Sequence, residues 1–157
     1  MSTLDTNLLA ELVTTALERT AFVMADFADP VEDGADFTPS HFALLTYGGA
    51  GSGTIFLEAD DGFVRELAAS LLGVEEDEVD TATHGQDALN ELSNIVGGSV
   101  VIALGGDDHR FLLNLPQTAS RNQAPDSSDQ SCQCLLESEN GLLRVHWAPG
   151  AASAAAA

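Results

Sequence analysis

Lysine is absent from this chain, and five arginines stand against 25 aspartates and glutamates, giving a formal net charge of −20. A surface of that sign repels nucleic-acid phosphates and anionic lipid headgroups, so neither is an expected direct partner. It suits a partner with a basic rim, or serves solubility in salt. Cysteine is nearly absent too: Cys132 and Cys134 are the only two. Side chains at i and i+2 of a strand share a face, which fits two core thiols better than a disulfide between them. No run approaches the roughly 20 apolar residues that span a bilayer. Residues 1–5 lack the basic region and apolar stretch of a secretory signal. The expected compartment is the cytoplasm.

What is present suffices for one domain. A chain of 157 residues, 45% of them apolar, buries enough surface to fold without disulfides or a metal. Residues 1–149 are read as that domain, and the Ala-rich residues 150–157 as a disordered tail. Leu9, Leu12, Val13, Ala16, Thr20, Val23, Met24 and Phe27 recur at helical spacing, predicting a helix over 4–27 stopped by Asp29-Pro30. Residues 30–40 read as a loop. Residues 41–47 and 54–57 read as a strand pair around a glycine-rich joint. Asp60 and Asp61 cap a second helix carrying Phe63, Val64 and Leu67, and Gly73 ends it. The acidic residues 75–80 read as a solvated linker.

A third helix is predicted over 83–104, with Thr83 and Gln86 at capping-box spacing. Residues 109–115 read as a strand ending at Pro116, and 117–130 as a mobile loop. Residues 131–138 and 142–147 read as strands joined by the turn dipeptide Asn140-Gly141. Hairpin connections imply antiparallel pairing. The expected fold is α+β: a two-layer sandwich of three helices packed on a mainly antiparallel sheet.

The third helix carries the chemistry. At about 100° per residue, Leu89, Leu92, Ile95, Val96 and Val100 fall on one broad side. Asp87, Glu91, Asn94 and Gly98 fall in a stripe off that side. Glu91 and Asn94 thus project together, about a turn apart. Two adjacent glycines inside a helix cost about 1 kcal/mol each relative to alanine. Either close helix–sheet packing or close approach of another protein beside Asn94 would account for them.

The run from Asp87 through Glu91 and Asn94 to Pro116 resembles the pattern of the CheC, CheX and FliY chemotaxis phosphatases: Asp or Ser, Glu four residues on, Asn three further, and a Pro after the next strand. Residues 45–57 and 63–73 resemble the family's glycine-containing strand pair and the helix before the motif helix. Residues 1–30 hold no second Glu-x-x-Asn, which is the CheX rather than the CheC arrangement. The resemblance implies hydrolysis of the aspartyl phosphate on a CheY-like response regulator. Asn94 would orient the attacking water, Glu91 would pair with a regulator lysine, and Asp87 and Gly98 would contact the partner. It implies no cofactor in this chain, the Mg²⁺ belonging to the regulator, and a homodimer through sheet edges.

Other polar groups offer less. His84 reads as a surface residue. Cys132, Cys134 and His146 could meet across a hairpin, but three ligands without a CxxC pair make a poor zinc site. No nucleophile elbow or phosphate loop is present. Two alternatives stay open: a non-catalytic CheX-like module that binds a regulator or itself, and a structural part of a flagellar switch.

Overall fold

The computed structural model describes residues 4–29, 32, 35, 37–105 and 111–150. Within them lie three α-helices and seven strands. In chain order they are α1 (Thr6–Ala16), β1 (Asp26–Phe27), β2 (His41–Gly49), β3 (Gly53–Ala59), α2 (Asp61–Leu72), α3 (Gln86–Gly105), β4 (Phe111–Leu113), β5 (Gln117–Thr118), β6 (Cys132–Glu137) and β7 (Leu142–Pro149). The strands form one sheet in the order β1-β6-β7-β3-β2-β4, with β5 also pairing β2. Every pairing is antiparallel. This is the expected α+β architecture.

Register explains the core. Leu45, Ile55, Trp147 and Cys132 are linked by successive cross-strand pairings, as are Ala43, Leu57, Val145 and Cys134. These residues therefore share one face, and the helices cover it. Leu9 and Val13 of α1, Phe63 and Leu67 of α2, and Leu89, Leu92, Val96 and Val100 of α3 are buried in the same cluster. Trp147 Nε1 donates to the Tyr47 hydroxyl at 2.9 Å inside it, so neither polar tip is left unpaired.

Local signals account for most element ends. Asp60 accepts from Phe63 N at 2.9 Å as the α2 cap, and its carboxylate also accepts from Leu142 N. One side chain thus starts a helix and anchors the β6–β7 hairpin. Gly73 closes α2 in the left-handed conformation, where a side chain would be strained.

Four expectations need correcting. The first helix stops well short of residue 27. A π-helical turn, Leu17–Ala21, follows α1, and Phe22 turns left-handed at φ 54° while Val23 N returns to the Leu17 carbonyl at 3.1 Å. Met24 and Phe27, expected to continue that helix, are 67% and 58% exposed, and residues 26–27 pair with β6 as a strand instead. The third helical run begins earlier, in a π-helical turn Thr81–Gly85. Its cap is Asp80, accepting from Ala82 N, and not Thr83. Gln86 spends its side chain on the Phe42 carbonyl instead. Residues 117–130 are not all loop: they contain β5 and a 3-10 turn, Arg121–Gln123. The acidic linker likewise holds a 3-10 turn, Glu76–Glu78. Residues 151–157 of the expected tail, and residues 109–110 of the expected strand, lie outside the described residues, whereas Gly150 is ordered against the first hairpin, its N donating to the Ser52 carbonyl at 2.8 Å.

The helical run Thr81–Gly105 is long and apolar enough by composition to cross a membrane. Its apolar side is accounted for by the core, where Leu89, Leu92, Val96 and Val100 are almost wholly enclosed.

Candidate functional site

α3 is two-sided. Ala88, Leu89, Leu92, Ser93, Val96, Gly97 and Val100 are buried, and the buried Ser93 hydroxyl is satisfied by the Asn90 carbonyl at 2.7 Å. Asp87, Glu91 and Asn94 are exposed, and Gly98 is half-exposed. Ile95, expected on the buried side, is half-buried and packs against the core. The structure therefore places all four stripe residues on the outer face of one helix, with Glu91 and Asn94 free to reach a partner together.

The two glycines have different reasons. A Cβ on Gly97 would sit 2.0 Å from Leu45 Cδ2 and 3.3 Å from Leu113 Cδ2, so close packing of α3 on β2 and β4 requires it. A Cβ on Gly98 would meet nothing within 4 Å. Packing among the described residues does not explain that glycine, and its bare backbone lies one turn beyond Asn94.

A polar ladder borders the stripe. Gln86 Nε2 donates to the Phe42 carbonyl at 2.9 Å and to Asn90 Oδ1 at 3.0 Å. Asn90 Nδ2 in turn donates to Thr118 Oγ1 at 3.2 Å. Asn114 holds Thr46 through both backbone and side chain. The chain from β4 to β5 is thus tied to the edge of β2 and to α3. Pro116 falls between the two short strands, where a residue without an N–H costs no ladder bond. Leu113 lies beside Gly97 and Thr118 beside Asn90. The segment therefore runs antiparallel to α3, and Leu115 and Pro116 fall level with Asn94. The Asn90–Thr118 clamp was not anticipated; the i, i+4 pair Gln86 and Asn90 was its only sequence signal.

The remaining polar residues lie elsewhere. His84 is exposed, and its Nδ1 accepts from Asp80 N at 3.2 Å. Cys132 and Cys134 are free thiols on the helix-covered face. Burial, aided by the Asp5 charge, pushes the Cys132 thiol up to about 11. Burial, aided by Cys132, pushes Cys134 up to about 12, so both stay protonated and unreactive. His146 pairs in register with Gln133, between the cysteine positions. It therefore points to the opposite face, where its Nε2 lies 2.7 Å from Glu58 Oε2. The three residues cannot converge on one metal ion.

The stripe is a convex helix surface and not a cavity. An open cleft of about 730 Å³ near the C-terminal end of α3 is walled by Tyr47, Leu104, Phe111, Cys132 and Trp147, and no stripe residue lines it. Small-molecule sites are concave; an exposed carboxylate and amide on a helix suit a macromolecular partner. The amide offers both donors and an acceptor without charge, which is what orienting a water requires.

Comparison with known proteins gives a consistent picture. The family described as chemotaxis phosphatase CheX matches residues 42–136. No curated protein matches the chain. Among solved structures, the chemotaxis protein CheX of Vibrio vulnificus is similar with TM-score 0.70 and 16% identity, covering 91% of this chain and 94% of that one. CheX of Borrelia burgdorferi, solved as a CheX–CheY–BeF3–Mg²⁺ complex, is similar with TM-score 0.65 and 15% identity, over 90% and 94% of the two chains. FliY of Thermotoga maritima is similar with TM-score 0.54 and 13% identity, over 89% and 87%. At these identities the structural likenesses establish the fold.

Proposed function

The chain belongs to the chemotaxis phosphatase CheX family, and from that premise we propose that it hydrolyses the aspartyl phosphate of a CheY-like response regulator, with Asn94 orienting the attacking water and Glu91 docking the regulator. The observation that carries this reading is the outer face of α3. Asp87, Glu91 and Asn94 are all exposed there, while Ala88, Leu89, Leu92 and Ser93 between them are buried.

The chemistry asks little of this chain. An acyl phosphate is already activated, and phosphoryl transfer depends mainly on positioning and charge stabilisation. The Asn94 amide accepts from the water through its oxygen, or donates to it through nitrogen, and holds it in line with the phosphorus–oxygen bond that breaks. Glu91, about a turn away, pairs with a cation beside the phosphoaspartate and fixes the docking register. Asp87 extends the acidic end of the contact, and Gly98 lets the partner's backbone approach. Mg²⁺ in this reading belongs to the regulator, where it balances the phosphoryl charge.

The test is loss of phosphate from a labelled CheY-like regulator at several concentrations of this protein. Asn94→Ala should lower the stimulated rate at saturation by about a hundredfold, yet leave regulator binding near wild type, because only transition-state geometry is lost. Glu91→Ala should weaken binding and turnover together, less visibly at high salt. A wild-type rate for Asn94→Ala at saturation would leave a non-catalytic regulator-binding module as the function.

A further inference from the structure

The outer face of α3 does not end at Gly98. Ile102 lies about 20° around the helix axis from Glu91 and about 40° from Gly98, and it is 61% exposed. Leu115, level with Asn94 on the neighbouring segment, is 83% exposed. Two bare aliphatic side chains flank the polar stripe, where a partner docked on Glu91 and Asn94 would cover them. We propose that Leu115 and Ile102 form the apolar half of the face that binds the phosphorylated receiver domain, and that they set its affinity; the proposal rests on the phosphatase reading above.

The face is then ordered along the helix: acid at Asp87 and Glu91, amide at Asn94, bare backbone at Gly98, and aliphatic at Ile102. At 1.5 Å per residue, Ile102 lies about 16 Å along the axis from Glu91 and about 12 Å from Asn94. The receiver domain must therefore offer a cation beside its phosphoaspartate and an apolar side chain roughly 16 Å from that cation.

Charge argues against a second copy of this chain as the occupant. Of the four arginines among the described residues, Arg65 is held by Asp61. Arg144 lies 3.6 Å from Glu58, and Arg121 donates to the Pro39 carbonyl and lies over Phe42, which leaves Arg19, exposed on the turn after α1, as the one cation among them to set against the acidic stripe. Another copy would set acid against acid at Glu91, whereas a receiver domain with a basic rim complements it.

Binding of CheY-type receiver domains from the encoding genome, loaded with beryllofluoride, and turnover of the same domains loaded with acetyl phosphate, test the proposal together. Ile102→Ser and Leu115→Ser should each raise Kd and KM about tenfold, with kcat at saturation unchanged. The loss should persist at about 0.5 M salt, where a charge contact would be screened. Ile102→Met and Leu115→Met should behave as wild type. Wild-type Kd and KM in both serine variants would overturn the proposal while the phosphatase reading stands. A fall in kcat alone would overturn it as well. Binding without turnover, weakened by the serine variants, would uphold the docking face and remove the phosphatase reading. Absence of both binding and turnover in the wild type would overturn both. Self-association abolished by the serine variants, with receiver binding intact, would assign the patch to a second copy and overturn the proposal.

Discussion

Gly97 and Gly98 are neighbours of identical chemistry, and the structure separates them completely. A methyl at 97 is forced into Leu45, and overpacking of a tight core costs about 1–3 kcal/mol, more than the helix propensity it restores. Gly97→Ala should therefore lower the urea midpoint. A methyl at 98 meets open space, so Gly98→Ala should raise stability by about 1 kcal/mol while crowding the face that meets the regulator. Stability and turnover would then move in opposite directions in one variant, and an unchanged KM for regulator would show that no partner comes close at this point. Glu58 makes the second residue-scale case. Burial raises its carboxyl, but the His146 hydrogen bond and the charges of His146, Arg144 and Arg121 outweigh burial and leave it below the ordinary value of 4.5. A carboxyl depressed in the folded state binds protons more weakly there than when unfolded. Its contribution to stability is thus fully present above about pH 4.5 and is lost as pH falls through the folded value. Glu58→Gln should flatten that acid limb of a stability–pH curve measured by urea unfolding, and an unaltered limb would show that the Glu58 cluster adds nothing.

At the scale of elements, what the sequence discloses depends on whether the signal is local. Asp60 and Gly73 bound α2 as read, because a cap and a left-handed glycine act within one turn. The two long hairpins were legible from alternation and from Asn140-Gly141. The outer stripe of α3 was legible because period alone sorts Leu89, Leu92 and Val96 from Glu91 and Asn94. The end of the first helix was not: Val23, Met24 and Phe27 continue a helical spacing, and only pairing of Asp26 and Phe27 with Glu137 and Leu136, far along the chain, makes them extended. The same holds for β5, whose Gln117 and Thr118 are a strand only because Leu44 and Ala43 lie beside them. This is why Leu115, and the Asn90–Thr118 contact, escaped a reading made along the chain. Phe22 carries the measurable consequence. It is 81% exposed and left-handed at φ 54°, a conformation costing about 1–2 kcal/mol for an ordinary residue and less for asparagine. Phe22→Asn should stabilise the protein by about 0.5–1 kcal/mol in thermal or urea unfolding; destabilisation would mean that the helix does not end there.

For the whole molecule, the net charge of −20 sets both stability and assembly. Like charges crowded on a compact surface repel one another more than on an unfolded chain, and salt shortens the range of that repulsion to about 3 Å at 1 M. Thermal stability should therefore rise with sodium chloride, and a salt-independent Tm would refute net repulsion as a destabilising term. The same charge keeps copies apart unless the contact is apolar or made through backbone. The β4 edge offers both. β4 ends the sheet, so its outer backbone groups are available for pairing, and Leu112 on it is 71% exposed. Leu112 alternates with Phe111 and Leu113, so it points away from α3, clear of the stripe that carries Glu91 and Asn94. We propose a homodimer through this edge at micromolar concentration, tightening as salt rises because repulsion is screened and the apolar contact is not. Leu112→Asp should give a monomer with wild-type turnover of the regulator. Sedimentation that shows a monomer at every salt concentration would refute the dimer, and a Leu112→Asp variant that dimerises as wild type would move the contact to another edge.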